Sequence, residues 1–263
     1  MYVTRTVFFF VVTIVQMVLF AQLSAANHIA TAEVDIVAFT QNSAPKYLDG
    51  LGKDYGVCGD IYVLLKKRLL NKNIDFAVSG HLLPIRRILK TLEASSSGIF
   101  CGASRDLNSE KLYTYSAKPI YSVLNVLVTS TANKYDPISL EDLTLSNASV
   151  GTHFGTSSAE YLKAMGVSRI NGKFKSVKLG LKSVAANEID YFFYHDLGLD
   201  YFLSQNTLSL RKVPTIFRSD SHWMIYSKDM SEELQRTVDA ELTNLINEGL
   251  VNKIRKKYQL PIN

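Results

Sequence analysis

Short runs of apolar residues alternate with amphipathic stretches, twice over, along this chain. Val34–Phe39 (VDIVAF), Ile74–Val78 and Gly98–Ala103 read as buried strands. Between them, Ile61, Leu64, Leu65 and Leu69 fall on one helical face, opened by Asp60 as a cap. A second helical face carries Ile85, Ile88, Leu89 and Leu92, opened by Pro84 at the first helical position. Strands and helices in that alternation predict a parallel sheet with helices packed on it.

The pattern then restarts. Ser122–Thr129 is a strand, and Ser139 with Asp142 forms a capping box before a short helix. Ser149–Gly151 is a short strand, and Ser157–Met165 a helix closed by Gly166. Val177–Ala186 is helical, Ile189–Tyr194 extended, and a helix follows near Leu197–Leu203. Leu208–Val213 and His222–Ser227 are strands. Ser231 starts a long helix with Leu234, Val238, Leu242, Leu245 and Ile246 on one face, ended by Gly249. No low-complexity linker separates the two α/β units, so two lobes joined by crossing strands fit better than independent beads.

Ahead of this lies a different segment. Arg5 precedes an apolar run from Val7 to Leu23, and Ser24-Ala25-Ala26 then places small residues at a cut after Ala26. That layout is a secretory signal peptide over residues 1–26. A soluble, exported, periplasmic protein is the expectation. The net charge of +5 is dispersed, and the densest basic stretch, Lys253–Lys257, reads as a solvated helix face rather than a nucleic-acid site. Cys58 and Cys101 stand in no metal-ligand spacing; in an oxidising compartment they either pair or stay buried as thiols.

The segment Gly151–Leu162 (GTHFGTSSAEYL) draws attention as chemistry. A glycine turn leading into a helix leaves backbone N–H groups aimed outward, and Thr156, Ser157 and Ser158 add hydroxyls. Two readings stand side by side: a carboxylate-sized anion site, or plain capping by Ser157. The segment lacks the Lys-Ser/Thr ending of a nucleotide-binding loop.

Five motifs in order give the mature chain a resemblance over residues 33–260. Ala44–Gly50 resembles a proline-aromatic turn after the first strand, and Gly59-Asp60-Ile61 a Gly-aromatic-Asp helix start. Tyr115-Ser116 with Pro119-Ile120-Tyr121 resembles a Phe-Ser…Pro-Tyr segment. Val150-Gly151…Gly155-Thr156-Ser157 resembles a Val-Gly-x-x-x-Gly-Thr turn, and Glu188–Tyr191 a Gly-x-Asp-Ala strand entry. Together they resemble the extracytoplasmic solute-binding proteins of the polar amino-acid uptake type (family 3), which feed ABC transporters.

That resemblance implies a two-lobed, periplasmic-binding-protein-like (type II) α/β fold with a discontinuous first lobe. Lobe 1 would comprise residues 27–121 plus 224–263, and lobe 2 residues 122–223. Crossings are expected near Tyr121 and Trp223. It implies a non-enzymatic monomer without cofactor or metal that closes on a small polar, carboxylate-bearing, amino-acid-like solute. Its partner would be a membrane transporter permease. A sensor docking on a membrane receptor, or a dehydratase-like enzyme on the same scaffold, are the alternatives.

The ligand residues implied are Tyr47, Ser104, Arg105, Gly155, Thr156, Ser157 and Asp196. The family places a Thr, then an Arg five residues on, to grip a carboxylate. Here Ser104 takes the Thr position and Ser109 the Arg position, with Arg105 and Lys111 nearby. Where the family's amine-binding acid stands, this chain has His195, with Asp196 one beyond. Arg86 and Arg87 either face the cleft in place of the missing Arg or form a surface pair. His153, His195 and His222 lie scattered near predicted lobe-edge loops, each open to a structural or a pH-sensing reading.

Overall fold

A nearly continuous buried run, IVAFTQ, places the first strand, β1 (Ile36–Gln41), at the centre of a parallel set. The structure is a computed structural model and describes residues 34–50 and 54–259. The signal-peptide segment 1–26 lies outside the described residues. After β1 come α1 (Gly56–Leu70), β2 (Phe76–Leu83), α2 (Ile85–Glu93) and β3 (Gly98–Ala103). β1 pairs in parallel with β2 on one side and β3 on the other. Ile36, Ile61, Leu65, Phe76, Ile88 and Ile99 meet in one core.

The last helices return to that same core. α7 (Glu232–Asn247) and α8 (Leu250–Lys257) bring Val238, Leu242, Leu245, Val251 and Ile254 into it. The first lobe is therefore discontinuous in sequence. A disulfide joins Cys58 on α1 to Cys101 on β3 across a Cα–Cα distance of 5.6 Å. Of the two states open to these cysteines, the paired one forms.

The second half repeats the plan with two cores. β4 (Tyr113–Tyr115) still packs on the first core through Tyr113, and the elements of the second half run β5 (Tyr121–Ser130), α3 (Leu140–Leu145), β6 (Val150–His153), α4 (Ser158–Ala164), β7 (Ile170–Phe174), α5 (Val177–Ala185), β8 (Tyr191–His195), α6 (Asp196–Ser204) and β9 (Leu210–Lys212). Successive side chains of a strand point to opposite faces. Val126, Val128 and Phe192 accordingly pack with Leu181 and Val184, whereas Leu127 and Phe193 pack with Leu143, Val150 and Leu162. β6 is parallel to β7 and β8, while β5 is antiparallel to β8.

One strand serves both halves. β10 (Arg218–Ser227) pairs antiparallel with β5 over Arg218–His222. It then pairs with β3 from Trp223 and with β4 through Ser227. Among the described residues the sheet runs β2-β1-β3-β10-β5-β8-β6-β7, with β4 on β10 and β9 on β5. This curled mixed sheet with two sets of cores is the two-lobed α/β fold expected.

Several boundaries differ from expectation, each for a physical reason. Asp60 does not cap α1, which starts a turn earlier at Gly56. The Asp60 carboxylate instead accepts from the Tyr55 amide and holds Lys257 and Tyr258 of the C-terminal segment. Pro84 is the cap residue, in extended backbone, rather than the first helical residue. β10 begins at Arg218 because its polar first half is paired with β5, not a loop. β7 escaped the hydrophobic pattern because it is an edge strand of mixed residues (INGKF) paired only with β6.

Candidate functional site

In parallel α/β sheets the open ends of the loops after the strands gather at the carboxyl edge, where ligands bind. Here two parallel pairs of strands, β1 with β3 in one lobe and β6 with β8 in the other, end at one place. β1 ends at Gln41, β3 at Ala103, β6 at His153 and β8 at His195. Gln41, Ala103 and His195 line a cavity of about 180 Å³ between the lobes. The loop after β6 adds Gly155, Thr156, Ser157 and Ser158, and the shared strand β10 adds Arg218, Asp220 and His222.

Four of the seven expected ligand residues reach this cavity: Ser104, Gly155, Thr156 and Ser157. Gly155 supplies the turn with φ of +83°. Space is not what requires glycine there, since an added Cβ would only reach ordinary contact with Arg86 and Ile85 at 3.4 Å. Thr156 is committed to the turn, its hydroxyl donating to the His153 carbonyl at 2.8 Å. Ser157 makes no capping bond to α4 and lines the cavity.

The other three are placed elsewhere. Tyr47 is 1% exposed, stacks on Phe100, and donates its hydroxyl to the Cys101 carbonyl at 2.8 Å. It packs the first lobe and offers no face to the cavity. Arg105 pairs with Glu110 at 2.5 Å and lies over the Tyr115 and Trp223 rings on the surface. Asp196 turns its carboxylate onto the amides of Leu124 and Leu197, tying α6 to β5. Of the two arginines after Pro84, Arg86 reaches across the lobes to lie 5.0 Å over the Phe154 ring.

The three histidines, scattered in sequence, come together. His195 and His222 rings stand 6.0 Å apart edge to face, and Tyr194 bridges towards His153. His195 Nδ1 accepts from the Gly198 amide at 3.1 Å, capping α6. His222 Nδ1 lies 3.1 Å from the Tyr121 hydroxyl. Burial, reinforced by the charge on Lys46, lowers the His195 pKa to about 3 and holds His222 well below its ordinary value. Burial also lowers that of His153. All three imidazoles are neutral at neutral pH.

Lys46 was not singled out from sequence, yet it lines the cavity and is only 5% exposed. Its Nζ donates to the Gly102 carbonyl at 3.0 Å and lies 5.2 Å from the Phe100 ring centroid. Burial lowers its pKa to about 7. The available signal was its place in the turn after β1, whose carboxyl end faces the cleft. A second cavity, about 280 Å³, adjoins along Gln41, Ile85, Arg86, His153 and Phe154. Among the described residues no cluster of three His, Cys, Asp or Glu side chains is placed to hold a metal ion.

No protein-family model and no curated protein matches the sequence. Solved structures do match by shape. A mutant of ArgBP from T. maritima superposes with a TM-score of 0.71 at 15% identity, covering 85% of this chain and 93% of that one. The arginine-, lysine-, histidine-binding protein ArtJ from Geobacillus stearothermophilus gives 0.68 at 20% identity, covering 85% and 94%. This chain has the fold of the two-lobed amino-acid-binding proteins. A histidine kinase sensor domain with similarity to periplasmic binding proteins shares it too, at a TM-score of 0.70 and 19% identity, covering 86% and 96%. Among the described residues no helix is long and apolar enough to cross a membrane.

Proposed function

We propose that this protein is exported, captures a small solute bearing an acid group between its lobes, and delivers it to a membrane transporter. One observation carries the reading. Polar groups from both lobes converge on one cleft cavity at the carboxyl ends of two parallel strand pairs, one pair from each lobe. A ligand there touches both lobes at once, so it favours the closed arrangement over the open one. We divide the lobes at the hinge strands, with residues 27–121 and 224–263 in one and 122–223 in the other. Ser104, Gly155, Thr156 and Ser157 are the proposed contacts among the residues marked by sequence. Likeness of fold to binding proteins supports binding without turnover.

Thermal unfolding against a panel of amino acids, dicarboxylates, hydroxy acids and amines tests it. A ligand present at a hundred times its Kd stabilises the folded state by about 2.7 kcal/mol. A raised midpoint with an acid-bearing class, reduced in Ser157→Ala, is the expected outcome. A flat response to every acid defeats the reading. The sensor-domain likeness favours a second reading, in which the loaded protein docks on a receptor. Cells lacking the protein separate the two: lost uptake of the ligand supports delivery, whereas intact uptake with a lost response supports the receptor.

A further inference from the structure

We propose that Lys46 is the acid anchor of the cleft and that the solute it selects is a small organic acid carrying a hydroxyl rather than an ammonium group. This rests on the solute-binding reading and specifies its ligand.

The anchor follows from an uncompensated cation. Lys46 Nζ has three N–H donors, and the Gly102 carbonyl takes one. Among the described residues Lys46 makes no ion pair, although its side chain is buried against the cavity. A buried charge without a partner is costly, and an anion in the cavity supplies that partner. The groups that face Lys46 offer no competing anion. They are the neutral imidazoles of His153 on β6, His195 on β8 and His222 on β10, and the Tyr121 phenol on β5. Arg218 on β10 is also cationic, but Asp220 holds it at 2.5 Å.

The absence of an ammonium follows from where the carboxylates are. Asp220 borders the cavity but accepts from both Arg218 and Asn125. Asp106 stands exposed at the rim, with an oxygen bound to the amides of Asn108 and Ser109. Asp196 faces β5 and its own helix. A zwitterion buried beside Lys46 would meet no buried acid free for its ammonium, since the second oxygen of Asp106 stays at the exposed rim.

The hydroxyl follows from Gln41. It is 4% exposed, lines the cavity, and its Oε1 has no partner. A side-chain amide presents an oxygen acceptor and an N–H donor side by side. A ligand hydroxyl serves either, because it both donates and accepts. A cavity of about 180 Å³ keeps the ligand small.

The position of the Lys46 pKa near 7 gives the binding a signature. An anion beside the amine raises that pKa, so binding takes up a proton. Affinity then falls about tenfold per pH unit above 7, until the pH passes the pKa of the bound form.

The test uses the isosteric pair L-lactate and L-alanine, titrated into protein labelled at lysine Cε and Nζ and followed by NMR. Lactate is expected to shift the Lys46 signals and raise their titration midpoint, with no such response in Lys46→Met. L-alanine is expected to bind at least about tenfold more weakly. Equal binding of the two overturns the choice of hydroxyl over ammonium. Lactate that shifts the Thr156 and Ser157 amides but leaves Lys46 unmoved overturns the anchor while solute binding stands. Silence of the whole cleft to both probes also overturns the proposal, and the broader thermal panel then judges the binding reading separately. The wild-type titration decides the matter even where Lys46→Met fails to fold.

Discussion

A lysine with a pKa near 7 at the floor of a cleft affects stability as well as binding. In the unfolded chain its pKa is 10.5, and in the folded protein about 7. Between those values the unfolded state holds a proton that the folded state has released. Stability therefore rises with pH across that window, with a slope of up to about 1.4 kcal/mol per pH unit. Below 7 both states carry the charge and the full cost of burying it is present. His195 and His222 act at the acid end, since each stays neutral in the fold while its unfolded counterpart titrates near 6.5. Stability accordingly falls as pH drops below 6.5. Lys46→Met should flatten the alkaline rise and stabilise the ligand-free protein by roughly a few kcal/mol at or below pH 7. Urea unfolding as a function of pH measures both limbs. An unchanged slope between pH 7 and 10 in the variant would show that Lys46 is already charged in the fold.

Residue roles were the least legible part of the sequence. Hydroxyls after a glycine turn left two readings open, an anion site or a plain cap, and the fold sets Gly155–Ser157 at the cavity with no capping bond from Ser157. Lys46 did not announce itself, because lysine is almost never buried and nothing in its neighbours along the chain shows Phe100 or Gly102 closing over it. Each histidine looked structural alone, and only the pairing of β5 with β8 and β10 brings His195 beside His222. Tyr47 shows the opposite error. Its place in a motif suggested ligand stacking, whereas its hydroxyl completes a core hydrogen bond to the strand that carries Cys101.

At the scale of elements, hydrophobic periodicity was a sound guide wherever a strand or helix buried one clear face. α5 and α7 begin where Ser176 and Ser231 accept from the Leu179 and Leu234 amides. Guidance failed for β7 and the front of β10, where pairing rather than burial makes the strand. The disulfide belongs to this scale too, since it staples α1 onto β3. Its cysteines are 43 residues apart, and closing a loop of that length is worth about 4 kcal/mol in the chain-entropy view. Cys58→Ala/Cys101→Ala should lose stability of that order. The two lobes need not suffer equally, because the staple lies wholly in the first core. Hydrogen exchange should show protection falling first in α1 and β3 while β6 and β8 keep theirs. Uniform loss across both lobes would mean that they unfold as one cooperative unit.

At the scale of the whole molecule, the question is what holds the lobes against each other when the cleft is unfilled. Among the described residues several side-chain contacts bridge them, His222 to the Tyr121 hydroxyl at the strand crossing included. Ser43 Oγ lies 3.3 Å from the Tyr194 hydroxyl, and the Arg86 guanidinium lies 5.0 Å over Phe154. The second is half in solvent, because Phe154 is 49% exposed. A cation–π contact at such a site is worth about 0.5–1 kcal/mol, which corresponds to a roughly two- to fivefold shift between open and closed states. Phe154→Ala removes the ring without touching either core or the residues around Lys46. The variant should scatter X-rays as a more open molecule when ligand-free and bind its ligand two- to fivefold more weakly. Once saturated, its scattering should match the wild type, because ligand contacts to both lobes then dominate the latch. Persistent opening in the saturated variant would assign Phe154 to the ligand site itself and not to the latch.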